Sequence, residues 1–196
     1  RQLGDKRGES RVLTNLGIAH AYLGDYQHTL KYFQQSLEIK RDIGDKQGES
    51  TLLGNLGVIV GKLGQPQQSL AYYQQALQVK REIGDQFGIS NNLANIGTVY
   101  QNIGQYQQAL EHFQQALVIH RKIGNQRGVA TDLINIGTGY QNLGQYPPAL
   151  EHYQQALAIY RRMGDPRRVG MALSSIGTVY YLLGQYQPAL THYQQT

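Results

Sequence analysis

The phrase Asn15-Leu16-Gly17 returns as Asn55-Leu56-Gly57, Asn95-Ile96-Gly97 and Asn135-Ile136-Gly137, and with one change as Ser175-Ile176-Gly177. The interval is 40 residues each time, and it holds from one end of the sequence to the other. A fixed period of this length marks stacked supersecondary units that bury their apolar faces against neighbours instead of in one central core. Length alone, 196 residues, therefore does not set a domain count.

Within one period, apolar and aromatic residues recur at helical spacing through Leu13, Leu16, His20 and Leu23, stop at Gly24, and resume with Tyr26, Leu30, Phe33, Leu37 and Ile39 to Ile43. Each unit reads as two helices: helix A over roughly 8–23 and helix B over roughly 26–43. Gly24, Gly64, Gly104, Gly144 and Gly184 fall at the turn inside each unit, and Gly44, Gly84, Gly124 and Gly164 at the turn between units. Asp45, Asp85, Asn125 and Asp165 follow the second series, where short acceptor side chains cap the next helix A. Pro66, Pro147, Pro148, Pro166 and Pro188 lie in expected first turns, where no intrahelical N–H bond is lost.

The absence of cysteine excludes disulfides, thiolate metal sites and thiol nucleophiles, and fits a cytoplasmic location. No run approaches the roughly 20 apolar residues of a membrane span. The net charge of +5 leans basic, but only 16% of residues are charged and the polar surface is mostly Gln and Asn. Nucleic acid is thereby disfavoured as a partner. Glycines sit at turn and packing positions and carboxylates recur by repeat instead of converging, so the sequence predicts no enzyme and no cofactor.

Repeat 3 carries Ile96-Gly97, Tyr100, Gly104, Tyr106, Ala109, Phe113 and Ala116. This pattern, present in five tandem copies, resembles the tetratricopeptide repeat family over the whole chain. The family form of about 34 residues usually has a proline where this sequence has Arg41, Arg81, Arg121 and Arg161; helix B runs on, as in the longer repeats of Pins/LGN-type scaffolds and kinesin light chains. The phrasing Gly-Gln-Tyr-Gln-Gln-Ala-Leu is most similar to cyanobacterial arrays of this family. The resemblance implies an all-α, right-handed α-solenoid, and divides the chain into a helix B tail (1–6), repeats 7–46, 47–86, 87–126 and 127–166, and a partial repeat 167–196. Neither end shows a polar cap, so the sequence reads as an excerpt of a longer array with exposed stacking faces.

In that family the inner face of helix A lines a ligand groove. Carried over by position, it includes Arg11, Thr14, Asn15, Ile18 and Tyr22; Thr51, Gly54, Asn55, Val58 and Gly61; Asn91, Asn95, Thr98, Gln101 and Asn102; Thr131, Asn135, Thr138, Gln141 and Asn142; and Tyr181. Ile18, Tyr22, Gly54, Val58 and Gly61 suggest a partly apolar zone in which bare backbone admits a bulky side chain, although interior glycines also arise in packing. The ladder Asn15, Asn55, Asn95, Asn135 suits an extended peptide, because an amide both donates and accepts; structural hydrogen bonds are the alternative. Chaperone-tail clamps of the family use basic residues where this chain has Thr51, Asn91, Asn95, Thr131 and Asn135, leaving only Arg11, so an internal segment is the better expectation than a terminal carboxylate.

Lys40, Arg41, Lys80, Arg81, Arg121, Lys122, Arg161 and Arg162 gather at helix B ends, joined by Arg167 and Arg168. Cations are favoured there by the macrodipole, and an acidic partner is the other reading. His112, His152 and His192 recur at one helix B position; helices packed about 8–10 Å apart hold them too far from one another to share an ion, so they read as surface aromatics. The expected function is a noncatalytic protein-interaction scaffold that takes a protein or peptide segment in the helix A groove. Self-association through repeat ends, and a sensor arm of a larger bacterial signalling protein, are the alternatives.

Overall fold

The computed structural model describes residues 3–196, with side chains from residue 6 onward. Ten helices follow one another, and the described residues contain no strand: α1 (Leu3–Tyr22), α2 (Tyr26–Asp42), α3 (Lys46–Lys62), α4 (Pro66–Glu82), α5 (Gln86–Asn102), α6 (Tyr106–Lys122), α7 (Gln126–Asn142), α8 (Tyr146–Met163), α9 (Pro166–Leu182) and α10 (Tyr186–Tyr193). The odd-numbered helices are the A helices and the even-numbered ones the B helices.

The turns between helices are built locally. At the end of α2, Gly44 takes φ +71°, its N–H donates to the Arg41 carbonyl at 3.1 Å, and the Asp45 N–H donates to that of Lys40 at 2.9 Å. Only glycine adopts that left-handed backbone without steric cost. The Asp45 carboxylate then accepts from the Gly48 N–H at 2.9 Å and starts α3; Asp85, Asn125 and Asp165 do the same for α5, α7 and α9. All five prolines stand in the first turn of their helices.

The sequence reads residues 1–6 as a helix B tail and starts helix A near Gly8; α1 runs from Leu3 to Tyr22. Arg1 and Gln2 of the expected helix B tail lie outside the described residues. The Lys6 ammonium pairs with Asp42 at the far end of α2.

The chain divides into two units, Arg1–Asn92 and Leu93–Thr196. In the first, α1 packs on α2, α2 on α3 and α3 on α4, around Phe33, Leu37, Leu52, Leu53, Leu56, Ile59, Ala76 and Val79. In the second, α6 through α10 pack in the same sequential way, around Leu110, Phe113, Leu133, Ile136, Tyr153, Leu157, Leu173 and Ile176. Close approach of A to B depends on glycine: a Cβ at Gly97 would stand 2.7 Å from the Phe113 ring, and one at Gly137 would stand 2.6 Å from the Tyr153 ring.

Candidate functional site

In the first unit, α1 and α3 flank a cleft of about 960 Å³ that the turn between α2 and α3 closes at one end. Arg11, Thr14 and Asn15 line it from α1, Thr51 and Asn55 from α3, and Lys40, Asp45 and Lys46 from the turn and its edges, with Arg7 adding a further cation. Several of these groups are already engaged. Thr14 bonds the Ser10 carbonyl at 2.9 Å and the Ser36 hydroxyl at 2.8 Å, Thr51 donates to the Gln47 carbonyl at 2.9 Å, and the Lys40 ammonium holds Asp45 at 2.8 Å. The Lys40 hydrogen bond, then the Gly48 N–H, hold the Asp45 carboxyl below its ordinary range, and the Arg7 charge acts in the same direction. Lys46 reaches Glu49 at 3.3 Å and Glu82 at 3.7 Å.

The Asn15 amide is exposed and that of Asn55 half-buried. Asparagine hydrogen bonds in the structure come instead from positions off the ladder, such as Asn92, whose amide donates to the Tyr73 carbonyl at 2.7 Å. Arg11, Thr14, Asn15, Thr51 and Asn55 are thus the helix A groove positions gathered on this cleft. Arg7, Lys40 and Lys46 come from a turn and helix ends, and reading helix A faces alone does not find them.

Ile18, Tyr22, Gly54, Val58 and Gly61 do not line the cleft. Tyr22 is 89% exposed, and Ile18 and Val58 are also exposed. Gly54 lies 3.8 Å from the Asn92 side chain measured from a built Cβ, and a Cβ at Gly61 would lie 3.3 Å from the Ser69 hydroxyl of α4. The bare side of Gly61 therefore accommodates a neighbouring helix, and Ser69 bonds the Gly57 carbonyl there at 2.7 Å. Asn91 of α5 is exposed.

In the second unit, Asn95, Thr98 and Asn102 of α5 and Asn142 of α7 are exposed, while Gln101, Thr131, Asn135, Thr138 and Gln141 are half-buried. Thr98 and Thr131 donate back to the Ala94 and Arg127 carbonyls at 3.0 Å each. Thr138 and Gln141 are tied to helix packing: the Tyr153 hydroxyl of α8 lies 3.0 Å from the Thr138 hydroxyl and donates to Gln141 Oε1 at 3.1 Å. Repeat 3 has Phe113 in place of that tyrosine, and Gln101 Oε1 is buried without a partner. Tyr181 is 58% exposed, its ring 5.6 Å from that of Tyr186.

Sequence reasoning passes over two polar groups. His120 Nδ1 of α6 meets Asp132 Oδ2 of α7 at 2.6 Å with both side chains buried, and Asp132 is pushed up to about 6 by burial, against the opposing hydrogen bond and charge of His120. At the turn between α1 and α2, His20, Asp25 and His28 converge, with imidazole Nδ1 atoms 3.0 and 2.7 Å from one Asp25 oxygen. His112 and His152 instead donate to the Gln108 and Pro148 carbonyls and lie against Tyr100 and Tyr140; the His192 ring stacks on Tyr180. In the basic series, Lys80 pairs with Asp85 at 3.5 Å and Arg41 with Glu49 at 2.8 Å at helix B ends, and Arg168 at the start of α9 pairs with Asp165 at 3.3 Å.

A family profile described as tetratricopeptide repeat matches residues 2–82 and 88–162. The chain belongs to the tetratricopeptide repeat family. Solved structures agree on the α-solenoid fold. BtubC from P. vanneervenii is 16% identical, with a TM-score of 0.84 over 100% of this chain and 88% of that one. A Rap protein complexed with Competence and Sporulation Factor is 19% identical, with a TM-score of 0.78 over 95% of this chain and 52% of that one. A signal transduction ATPase with numerous domains and a tetratricopeptide repeat sensor, from Pyrococcus horikoshii, is 18% identical, with a TM-score of 0.85 over 95% of this chain and 30% of that one. At these identities the likeness is one of fold. A search of curated proteins gives no match. No described helix of this tetratricopeptide chain is long and apolar enough to cross a membrane.

Proposed function

We propose that this chain is a noncatalytic scaffold that binds an extended protein segment of acidic character along α1 and α3. The observation that carries the reading is the cleft of about 960 Å³, in which Arg11, Asn15 and Asn55 meet the cations of the α2–α3 turn. An asparagine amide can donate to a peptide carbonyl and accept from a peptide N–H at once, which suits an extended backbone. Arg7 and Arg11 set a preference for Asp and Glu in the segment, while Lys40 and Lys46 are engaged with Asp45 and Glu49. The family supports a scaffold role, and one protein that contains this fold is a Rap protein complexed with Competence and Sporulation Factor. Within the second unit, the exposed Asn95, Thr98, Asn102 and Asn142 and the half-buried Asn135 give helix A an amide-rich surface of similar chemistry.

The test is peptide selection from a displayed random library on the full chain, followed by fluorescence anisotropy of selected peptides. The reading predicts enrichment of Asp- and Glu-containing segments. It also predicts at least a tenfold weaker Kd for Arg11→Ala and for Asn15→Ala/Asn55→Ala, with helicity unaltered. Selected peptides that bind both variants as tightly as the parent chain would place the working surface elsewhere.

A further inference from the structure

The repeats act as internal controls for one another, and at one place repeat 1 departs from the others three times at once. His20 stands where the other repeats have Val60, Tyr100, Tyr140 and Tyr180; Asp25 stands where they have Gln65, Gln105, Gln145 and Gln185; His28 stands where they have Gln68, Gln108, Pro148 and Pro188. The four other hairpins form with glutamine at the turn and no side-chain cap there. Hairpin formation therefore requires none of the three substitutions.

The fold brings these three residues together. His20 lies in the last turn of α1, Asp25 caps α2, and His28 lies in the first turn of α2. Asp25 Oδ1 accepts from the His28 backbone N–H at 3.2 Å, which fixes the carboxylate and leaves Oδ2 to face both rings. The Nδ1 atoms of His20 and His28 stand 3.0 and 2.7 Å from Oδ2. The two rings stack with centroids 5.0 Å apart and 25° between planes, so both nitrogens point to the same side, and Tyr32 flanks His20 at 5.4 Å. The donor atoms of the three side chains all lie within 4.8 Å of one another.

We infer that His20, Asp25 and His28 form a binding site for a divalent transition-metal ion of the zinc class. Two imidazole nitrogens and one carboxylate oxygen are a borderline donor set that suits Zn²⁺, Co²⁺, Ni²⁺ or Cu²⁺ over Ca²⁺ or Mg²⁺. Bonds of about 2.0–2.2 Å to a tetrahedral ion separate donor atoms by about 3.3–3.5 Å. The two contacts to Asp25 Oδ2, at 3.0 and 2.7 Å, thus need to open by roughly 0.3–0.8 Å, a rotation that partly exposed side chains allow. An ion bound at the two Nδ1 atoms selects the tautomer that carries its proton on Nε2. The carboxyl is held below its ordinary range chiefly by the His28 N–H. The side chains are 27%, 37% and 56% exposed, which leaves the remaining coordination positions to water. His112, His152 and His192 have no counterpart to Asp25 or His28 in their own repeats and make no such set.

The experiment is titration of the untagged, chelator-treated full chain with Co²⁺, read by visible absorption and calorimetry, with Zn²⁺ as competitor. One equivalent per chain with a Co²⁺ spectrum displaced by Zn²⁺ is expected. His20→Tyr, Asp25→Gln and His28→Gln each install the residue of another repeat and so preserve the fold; each is expected to weaken binding at least tenfold. Asp25→Asn keeps an acceptor at the cap and should weaken binding likewise, whereas His112→Gln should leave it unaltered. Paramagnetic broadening confined to the His20 and His28 ring resonances would support the same assignment. No saturable Co²⁺ binding, or equal binding by the triple variant, would overturn it and leave the cluster as a hydrogen-bonded helix cap.

Discussion

Gln101 and Gln141 occupy one position in successive repeats, and a single atom separates their states. The Tyr153 hydroxyl serves Gln141, whereas Phe113 leaves Gln101 Oε1 buried and unpaired. Phe113→Tyr is therefore expected to stabilise the chain by about 1 kcal/mol, measured by urea unfolding. The glycines divide just as sharply. Gly97→Ala drives a methyl into the Phe113 ring and should cost about 1–3 kcal/mol, while Gly54→Ala, whose Cβ meets only an ordinary contact at 3.8 Å, should gain about 0.5–1 kcal/mol from helix propensity. Asp132 gives a pH signature. Its carboxyl, pushed from 3.8 up to about 6 by burial, binds its proton more tightly folded than unfolded. Its stabilising contribution is thus present below 3.8 and lost as pH rises through about 6. The stability of Asp132→Asn relative to the parent should rise between pH 4 and pH 7, by at most about 3 kcal/mol; an unaltered difference across that range would contradict the burial account.

Helix ends are where element-level predictions are sharpest. Asp45 caps α3 and pairs with Lys40, so Asp45→Ala should cost about 1 kcal/mol at neutral pH. Because the Lys40 and Gly48 hydrogen bonds depress its folded pKa, that contribution is present above the ordinary carboxylate value and lost as pH falls through the folded one. The cost of the substitution should accordingly fade in acid, as thermal melts of the pair at pH 7 and pH 2.5 would show. α10 is the weakest element: it is 8 residues long, its one buried residue is Ala189, and Tyr186 and Leu190 are largely exposed. Its amides should exchange fastest among the helices, since local stability follows buried apolar contact.

At the scale of the whole molecule, α1 to α4 in the first unit and α6 to α10 in the second pack on their neighbours in sequence, and stability in such arrays is close to a sum of local terms. Leu133→Ala empties a site only 1% exposed in the second core and should cost about 2–5 kcal/mol. Hydrogen exchange should then quicken in α6, α7 and α8 and stay unaltered in α3 and α4. A uniform acceleration through both units would show long-range cooperativity that sequential packing does not supply.

The 40-residue period, the paired helices, the glycine turns and the Asp or Asn caps were legible in the sequence because each depends on residues within a few positions of one another. Local backbone preference suffices to place them. The cleft was not legible in the same way. Arg11, Asn15 and Asn55 could be named from helix A positions, but Arg7, Lys40 and Lys46 join them only when α1, α3 and the intervening turn pack together. Gly61 shows the converse: the sequence marks a bare backbone, and packing decides that it faces Ser69. Tertiary structure likewise decides that Tyr153 engages Thr138 and Gln141, and that His120 meets Asp132, because each contact joins side chains on different helices whose directions the repeat pattern alone does not specify.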